Sequence, residues 1–228
     1  MFLLAGLVGF LLALRAEAEY GEYSEMSFCT ETEECLMFDL VCETPHYQVR
    51  HYKAMKWVTT TESSFLMEFA TMKAFKRLYK YIDGENENGQ KIEMTAPVIV
   101  KMVDKKFWEM GEYTVSFLLP KEHQANPPRP KDSRVVFYSS EDTNMYVRSY
   151  GGWMTSVCDY NEAYKLKKYL MSDGAYFKKD CHYGAAYNSP MTLWNRHNEV
   201  WFPAMGNPVC SSSEEMETPY PPTQMGPA

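Results

Sequence analysis

The chain has 228 residues, of which 45% are hydrophobic and 23% charged, with a formal net charge of −7. That length suits one domain with tails rather than a string of domains. The acidic balance argues against nucleic acid or an anionic membrane surface as partner, since both reward Lys and Arg.

Residues 1–18 read as a signal peptide. An apolar run from Met1 to Leu14 leads into Arg15-Ala16-Glu17-Ala18, with small residues where a signal peptidase reads. The run falls short of the roughly 20 apolar residues of a membrane span, and no later segment is apolar enough to insert. Residues 19–44 form an acidic arm with three cysteines, residues 45–210 the domain, and residues 211–228 a Ser-, Glu- and Pro-rich tail expected to be disordered. The six cysteines, Cys29, Cys35, Cys42, Cys158, Cys181 and Cys210, are disulfide candidates in an oxidising compartment. Six cysteines allow 15 pairings, and sequence does not choose among them. The expectation is that the arm is stapled to the later part of the chain. Zinc is the weaker reading, because no C-x-x-C pair occurs and Cys181 and His182 are adjacent.

In chain order, strand signals fall at Tyr47–Tyr52, Lys91–Val100, Tyr113–Leu119, Val135–Tyr138, Met145–Tyr150 and Glu199–Phe202. The first helix is expected over Ser64–Tyr81, with Phe65, Phe69, Met72, Phe75 and Tyr79 as its apolar stripe. The second is expected over Val157–Ser172, capped by Ser156 with Asp159 reaching back, and ended by Gly174. Asn126-Pro127-Pro128-Arg129-Pro130 must be a non-helical loop. Val49-Arg50-His51-Tyr52 matches Val147-Arg148-Ser149-Tyr150, and a Trp and then a helix follow each. This internal echo implies an α+β fold of two similar halves about a pseudo-twofold axis.

No nucleophile elbow, phosphate-cradling Gly loop, H-E-x-x-H or EF-hand occurs. Every thiol has disulfide bonding as its better use in a secreted chain. The reading is therefore a binding protein, not an enzyme. Met55, Met67, Met72, Met94, Met102, Trp57, Trp108, Trp153, Trp194 and Trp201 supply core, and side chains of this kind also line pockets for flat apolar ligands. His51 is the histidine to single out, because it is where the two echoed segments differ, and an imidazole can ligate haem iron. By residue type alone, a histidine satisfied by ordinary hydrogen bonds is the commoner outcome.

Several stretches resemble the SOUL haem-binding family. They are Val49-Arg50-His51-Tyr52, Lys56-Trp57-Val58, Ile92-Glu93-Met94-Thr95-Ala96-Pro97-Val98, Pro127-Pro128-Arg129-Pro130, Val147-Arg148-Ser149-Tyr150, Ala186-Tyr187-Asn188-Ser189-Pro190 and Asn195-Arg196-His197-Asn198-Glu199-Val200-Trp201. The resemblance implies a distorted β-barrel from two pseudo-symmetric βαββ-type repeats, with one main helix on each half. It implies haem, or another porphyrin or tetrapyrrole, as bound ligand. It carries to His51 the role of axial iron ligand, although members lacking that histidine are thought to use an apolar groove and basic contacts. The signal peptide and six cysteines depart from the best-known, intracellular members. The expectation is a secreted haem carrier or scavenger. The alternative is a secreted interaction module that keeps the fold without haem.

Overall fold

A computed structural model describes residues 28–105 and 109–210. The expected signal peptide, the expected tail and Trp108 lie outside the described residues.

Nine strands and two main helices follow one another. They are β1 (Asp39–Glu43), β2 (Gln48–Tyr52), β3 (Lys56–Ser64), α1 (Met67–Ile82), β4 (Val98–Val103), β5 (Gly111–Leu118), β6 (Val136–Ser139), β7 (Thr143–Tyr150), α2 (Ser156–Ser172), β8 (Cys181–Ala186) and β9 (Asn198–Pro203). All strands join one antiparallel sheet in the order β1-β2-β7-β9-β8-β4-β5-β3-β6. The order is symmetric about the β8–β4 pair: β9 mirrors β5, β7 mirrors β3, and β2 mirrors β6. Each half is a βαββ unit, β3-α1-β4-β5 and β7-α2-β8-β9, flanked by a strand from the other half.

The helices cover one face. Met67, Ala70, Ala74 and Leu78 of α1 pack on Val58, Val100, Met102, Val115 and Phe117. Ala163, Leu166 and Leu170 of α2 pack on Val49, Tyr146, Val200 and Phe202. On the opposite, inner face Tyr52, Trp57, Ile99, Leu118, Val147, Ala185 and Trp201 form a second core with Leu36 of the arm. Tyr52 and Trp57 share this core although β2 and β3 stand six positions apart in the sheet. The sheet is therefore strongly curled, but it is not closed into the expected barrel. Its edges are β1 and β6, which do not pair with each other. A bulge between Leu40 and Cys42 breaks the β1 ladder, and β6 is only four residues long. Both features blunt an edge against further pairing.

The echoed tetrapeptides are not symmetry mates. Val49–Tyr52 lies in β2 and Val147–Tyr150 in β7, and the two strands pair directly, Val49 opposite Tyr146 and His51 opposite Asn144. Their faces are also opposite. Val49 points to the helix side and Val147 to the inner core. Ser149 reaches the inner Glu199, so it is no counterpart of His51.

The helix boundaries shift slightly, and two local readings change. Thr155, not Ser156, caps α2 by accepting from the Cys158 amide, and Asp159 turns inward to His182. The segment from Lys91 to Pro97 is not strand: it carries the cis Ala96–Pro97 bond, and Ala96 pairs in parallel with Cys35 of the arm. The cysteines form two pairs, Cys29–Cys35 within the arm and Cys42–Cys210 from arm to C-terminal segment. Cys158 and Cys181 are unpaired, against expectation, because Cys158 faces solvent on α2 while Cys181 is buried at the start of β8.

Candidate functional site

The expected apolar stripe of α1 is its outward face except at Phe75, which is half-buried and packs on the core beside Phe117. A helix repeats every 3.6 residues, and two apolar stripes compete on this one. Met67, Ala70, Ala74, Leu78 and Tyr81 win burial, since the small alanines let the backbone approach β3 and β5. Phe69 and Met72 are left exposed, with Phe65 and Leu66 just before the helix and Tyr79 near its end. Along this outward face the side chains change from apolar, Phe69 and Met72, to cationic, Lys73, Lys76 and Lys80. Beside the cationic end a cleft of about 210 Å³ is lined by Lys73, Lys76, Arg77, Lys80 and Arg134 together with Glu85 and Asp132, and Lys73 and Lys80 pair with Glu62 and Glu85. Asp132 at this cleft accepts from Arg134, and these bonds hold its carboxyl down to about 2.

A second exposed apolar surface is the loop between β8 and β9. Met191 is 87% exposed, Leu193 63% and Trp194 81%. The loop is not slack. Arg196, itself buried, donates to the carbonyls of Ser189 (2.7 Å), Thr192 (2.7 Å) and Asn188 (3.3 Å). Asn195 takes a left-handed φ of 52° to turn the chain. From the arm, Glu31 accepts from Asn188, Ser189 and Thr192.

Residues Trp153–Ser156 connect the two surfaces. The Arg196 guanidinium lies over the Trp153 ring at 4.3 Å, and the Ser156 hydroxyl and amide donate to Glu68 of α1 at 2.7 and 2.8 Å. Four consecutive residues therefore run from the β8–β9 loop to the first turn of α1. Half-exposed Trp153 belongs to this connecting segment, which is tied to Arg196 of the loop at one end and to Glu68 of α1 at the other. Exposed apolar side chains grouped on ordered elements mark a binding surface. This rim, apolar with a cationic end, matches an amphiphilic anion that has a flat apolar body.

His51 stands elsewhere. It is half-buried on β2, opposite Asp39 on one side and Asn144 on the other. α1 packs on β3 and β5, and α2 on β7 and β9. His51 Nδ1 lies 3.1 Å from the Asn144 side-chain oxygen, a hydrogen bond when Nδ1 carries the proton. That tautomer presents the Nε2 lone pair, the arrangement a metal-ligating histidine uses. Three other histidines turn Nε2 to a carboxylate: His123 to Glu122, His182 to Asp159 and His197 to Glu199. Among the described residues no three His, Cys, Asp or Glu side chains converge on a metal site.

The Met and Trp residues of the sequence reading divide. Met67, Met102, Trp57 and Trp201 are core, whereas Met72, Trp153 and Trp194 are on the rim. Sequence reasoning missed Arg196 and Glu31 as the braces of the β8–β9 loop. The available signal was Met191-Thr192-Leu193-Trp194, an apolar run set between polar residues where no strand period exists.

The fold is an open two-repeat α+β sheet, with exposed apolar side chains on α1 and the β8–β9 loop as well as on α2 and the edge strands. Residues 33–203 match the SOUL heme-binding protein family, and the chain belongs to that family. It is 37% identical to human Heme-binding protein 2 over 165 residues, covering 72% of this chain and 80% of the relative. It is 29% identical to Heme-binding protein 1 of Xenopus laevis over 157 residues, 68% of this chain and 82% of that one. Among solved structures the EcmrR C-terminal domain superposes with a TM-score of 0.55 at 11% identity, covering 70% of this chain and 98% of that one. That likeness is one of fold alone.

Proposed function

We propose that this chain binds haem, or a related tetrapyrrole, on the rim formed by α1, Trp153 and the β8–β9 loop. The observation that carries this is the outward face of α1, apolar at Phe69 and Met72 and cationic at Lys73 and Lys76. A porphyrin needs the same pair of surfaces: apolar contact for its ring and cations for its propionates. The names of the relatives point to the same ligand. The two disulfides and the signal-like N-terminus support a role outside the cytosol, as a carrier or scavenger.

A second reading puts the iron on His51. It is supported by the contact of His51 Nδ1 with Asn144, because the tautomer that donates there keeps Nε2 open for iron.

Ferric haem titration of the oxidised protein, followed by absorbance, tests both. The rim reading expects a saturable Soret shift in the wild type that Met72→Glu and Trp194→Ala weaken and His51→Ala leaves in place. A shift lost only in His51→Ala moves the iron to β2. No saturable shift in the wild type overturns haem binding and leaves an interaction module.

A further inference from the structure

The arm does more than cover the inner core. Cys29 and Cys35 close a ring, and Glu31 projects from it to the β8–β9 loop. One Glu31 oxygen accepts from the Asn188 amide group at 2.8 Å and the Thr192 hydroxyl at 2.6 Å, and the other accepts from the Ser189 backbone N–H at 2.6 Å. Both flanks of the ring are docked. Phe28 stacks on His197 at 4.0 Å, and the Ala96 amide donates to the Glu34 carbonyl at 3.1 Å. Closure of so short a ring limits the conformers open to Glu31, so its three bonds cost little further entropy. The loop it holds carries Met191, Leu193 and Trp194 largely into solvent. Their placement depends on polar braces, Arg196 from within and Glu31 from the arm.

We infer that the Cys29–Cys35 ring is a redox-sensitive clamp that holds the β8–β9 loop in its ligand-ready form. The inference rests on the rim as the ligand site, and it gives that site a regulator. The opening reaction needs a thiol reductant. A thiolate attacks one sulfur to give a mixed disulfide, and a second thiol of the reductant displaces the remaining cysteine. Two electrons and two protons arrive at Cys29 and Cys35, and the reductant leaves as its own disulfide. With the ring open, Glu31 is free to leave the loop, and the rim loses its fixed shape.

Hydrogen exchange on the haem-free protein is the test. It compares the wild type, a Cys29→Ser/Cys35→Ser variant and Glu31→Ala, with mass analysis verifying that Cys42–Cys210 remains closed. Both variants should exchange amides of residues 188–195 about tenfold faster, roughly the loss of one net hydrogen bond. Amides of β7 and β9 should keep their protection, which separates a loosened loop from a misfolded protein. Haem affinity should fall in both variants. Unchanged exchange at 188–195 in the ring variant overturns the clamp, whatever the haem result. Faster exchange in a protein whose wild type shows no saturable haem binding keeps the clamp and overturns the haem reading instead.

Discussion

The Arg50 guanidinium meets the Glu199 carboxylate at 2.9 Å on the inner face of the curled sheet, with Glu199 fully buried and Arg50 nearly so. Glu199 also accepts from His197 Nε2 (2.8 Å), the Trp201 indole N–H (2.7 Å) and the Tyr187 hydroxyl (3.2 Å). A buried carboxylate survives only when its lone pairs are met in this way. Arg50 in turn lies over Phe38 of the arm at 4.0 Å. The two halves of the sheet and the arm therefore converge on one ion pair. Removing one partner strands the other: Glu199→Gln should cost roughly 3–5 kcal/mol in chemical denaturation. A loss under about 1 kcal/mol would show that Arg50 finds solvent or another anion.

The same pair sets a pH dependence. Burial pushes the Glu199 carboxyl up, but His197, Arg50 and Trp201 outweigh it and hold the group below its ordinary 4.5. A depressed carboxyl contributes stability above the unfolded value and loses it as pH falls through the folded value. Wild-type unfolding free energy should therefore be level above about 4.5 and decline below it. Glu199→Gln should decline less steeply over the same range. Parallel denaturation curves for the two proteins below that pH would remove Glu199 as a source of the slope.

The two faces of α1 should separate stability from binding. Leu78 is fully buried against the sheet, so Leu78→Ala should cost about 2–5 kcal/mol. Phe69 is 64% exposed, so Phe69→Ala should change stability by no more than about 0.5 kcal/mol. The same Phe69→Ala should lower haem affinity on the rim reading. Thermal melts and a haem titration of the two variants check both statements. A large stability loss at Phe69 would mean that this face is covered.

That helix marks how far the sequence could be read. The two-half α+β plan was legible because the strand and helix periods recur in the same order in both halves. The buried face of α1 was not, since Phe65, Phe69, Met72, Phe75 and Tyr79 outweigh two alanines in any hydrophobic count. Close packing prefers small side chains where a helix must approach a sheet, and single-sequence periodicity does not carry that preference. β3 was missed because Thr59, Thr60 and Thr61 read as polar, whereas Thr59 and Thr60 are buried with their hydroxyls bonded to the carbonyls of Val115 and Arg134. His51 was legible as a histidine of interest. Its distance in strand order from the α1 face depends on which strands pair, and a short motif match between β2 and β7 pointed the wrong way.

The unpaired cysteines give a chemical readout of the pairing. Cys158 is exposed, while burial pushes the Cys181 thiol up and closes it to solvent. The thiolate is the reactive form, so native protein should take one alkyl group and denatured, unreduced protein two. Intact-mass analysis after iodoacetamide counts them, and peptide mapping places the native label on Cys158. Two labels on native protein would mean that β8 opens at its start. None in either state would mean that Cys158 and Cys181 are bonded to each other.

The junction of α2 with β8 leaves no space for a methyl group. His182 Nε2 and the Asp159 carboxylate meet at 2.7 Å, tying the first turn of α2 to the sheet. Opposite them is Gly184, where a Cβ would stand 2.8 Å from the other Asp159 oxygen and 3.0 Å from the Met154 sulfur. Met154 belongs to the short segment that runs from Trp153 to Ser156 and on to Glu68. Gly184→Ala must therefore displace the Asp159 carboxylate, the Met154 sulfur or the Met102 methyl, which stands 3.1 Å from the same Cβ. Overpacking of this kind costs about 1–3 kcal/mol. If Asp159 yields, the loss of stability should shrink in an Asp159→Ala background, because the clashing carboxylate oxygen is then already gone. If Met154 yields instead, Gly184→Ala should alter Trp153 fluorescence and haem affinity along with stability. A variant as stable as wild type, with both readouts unchanged, would mean that the junction has room this packing does not show.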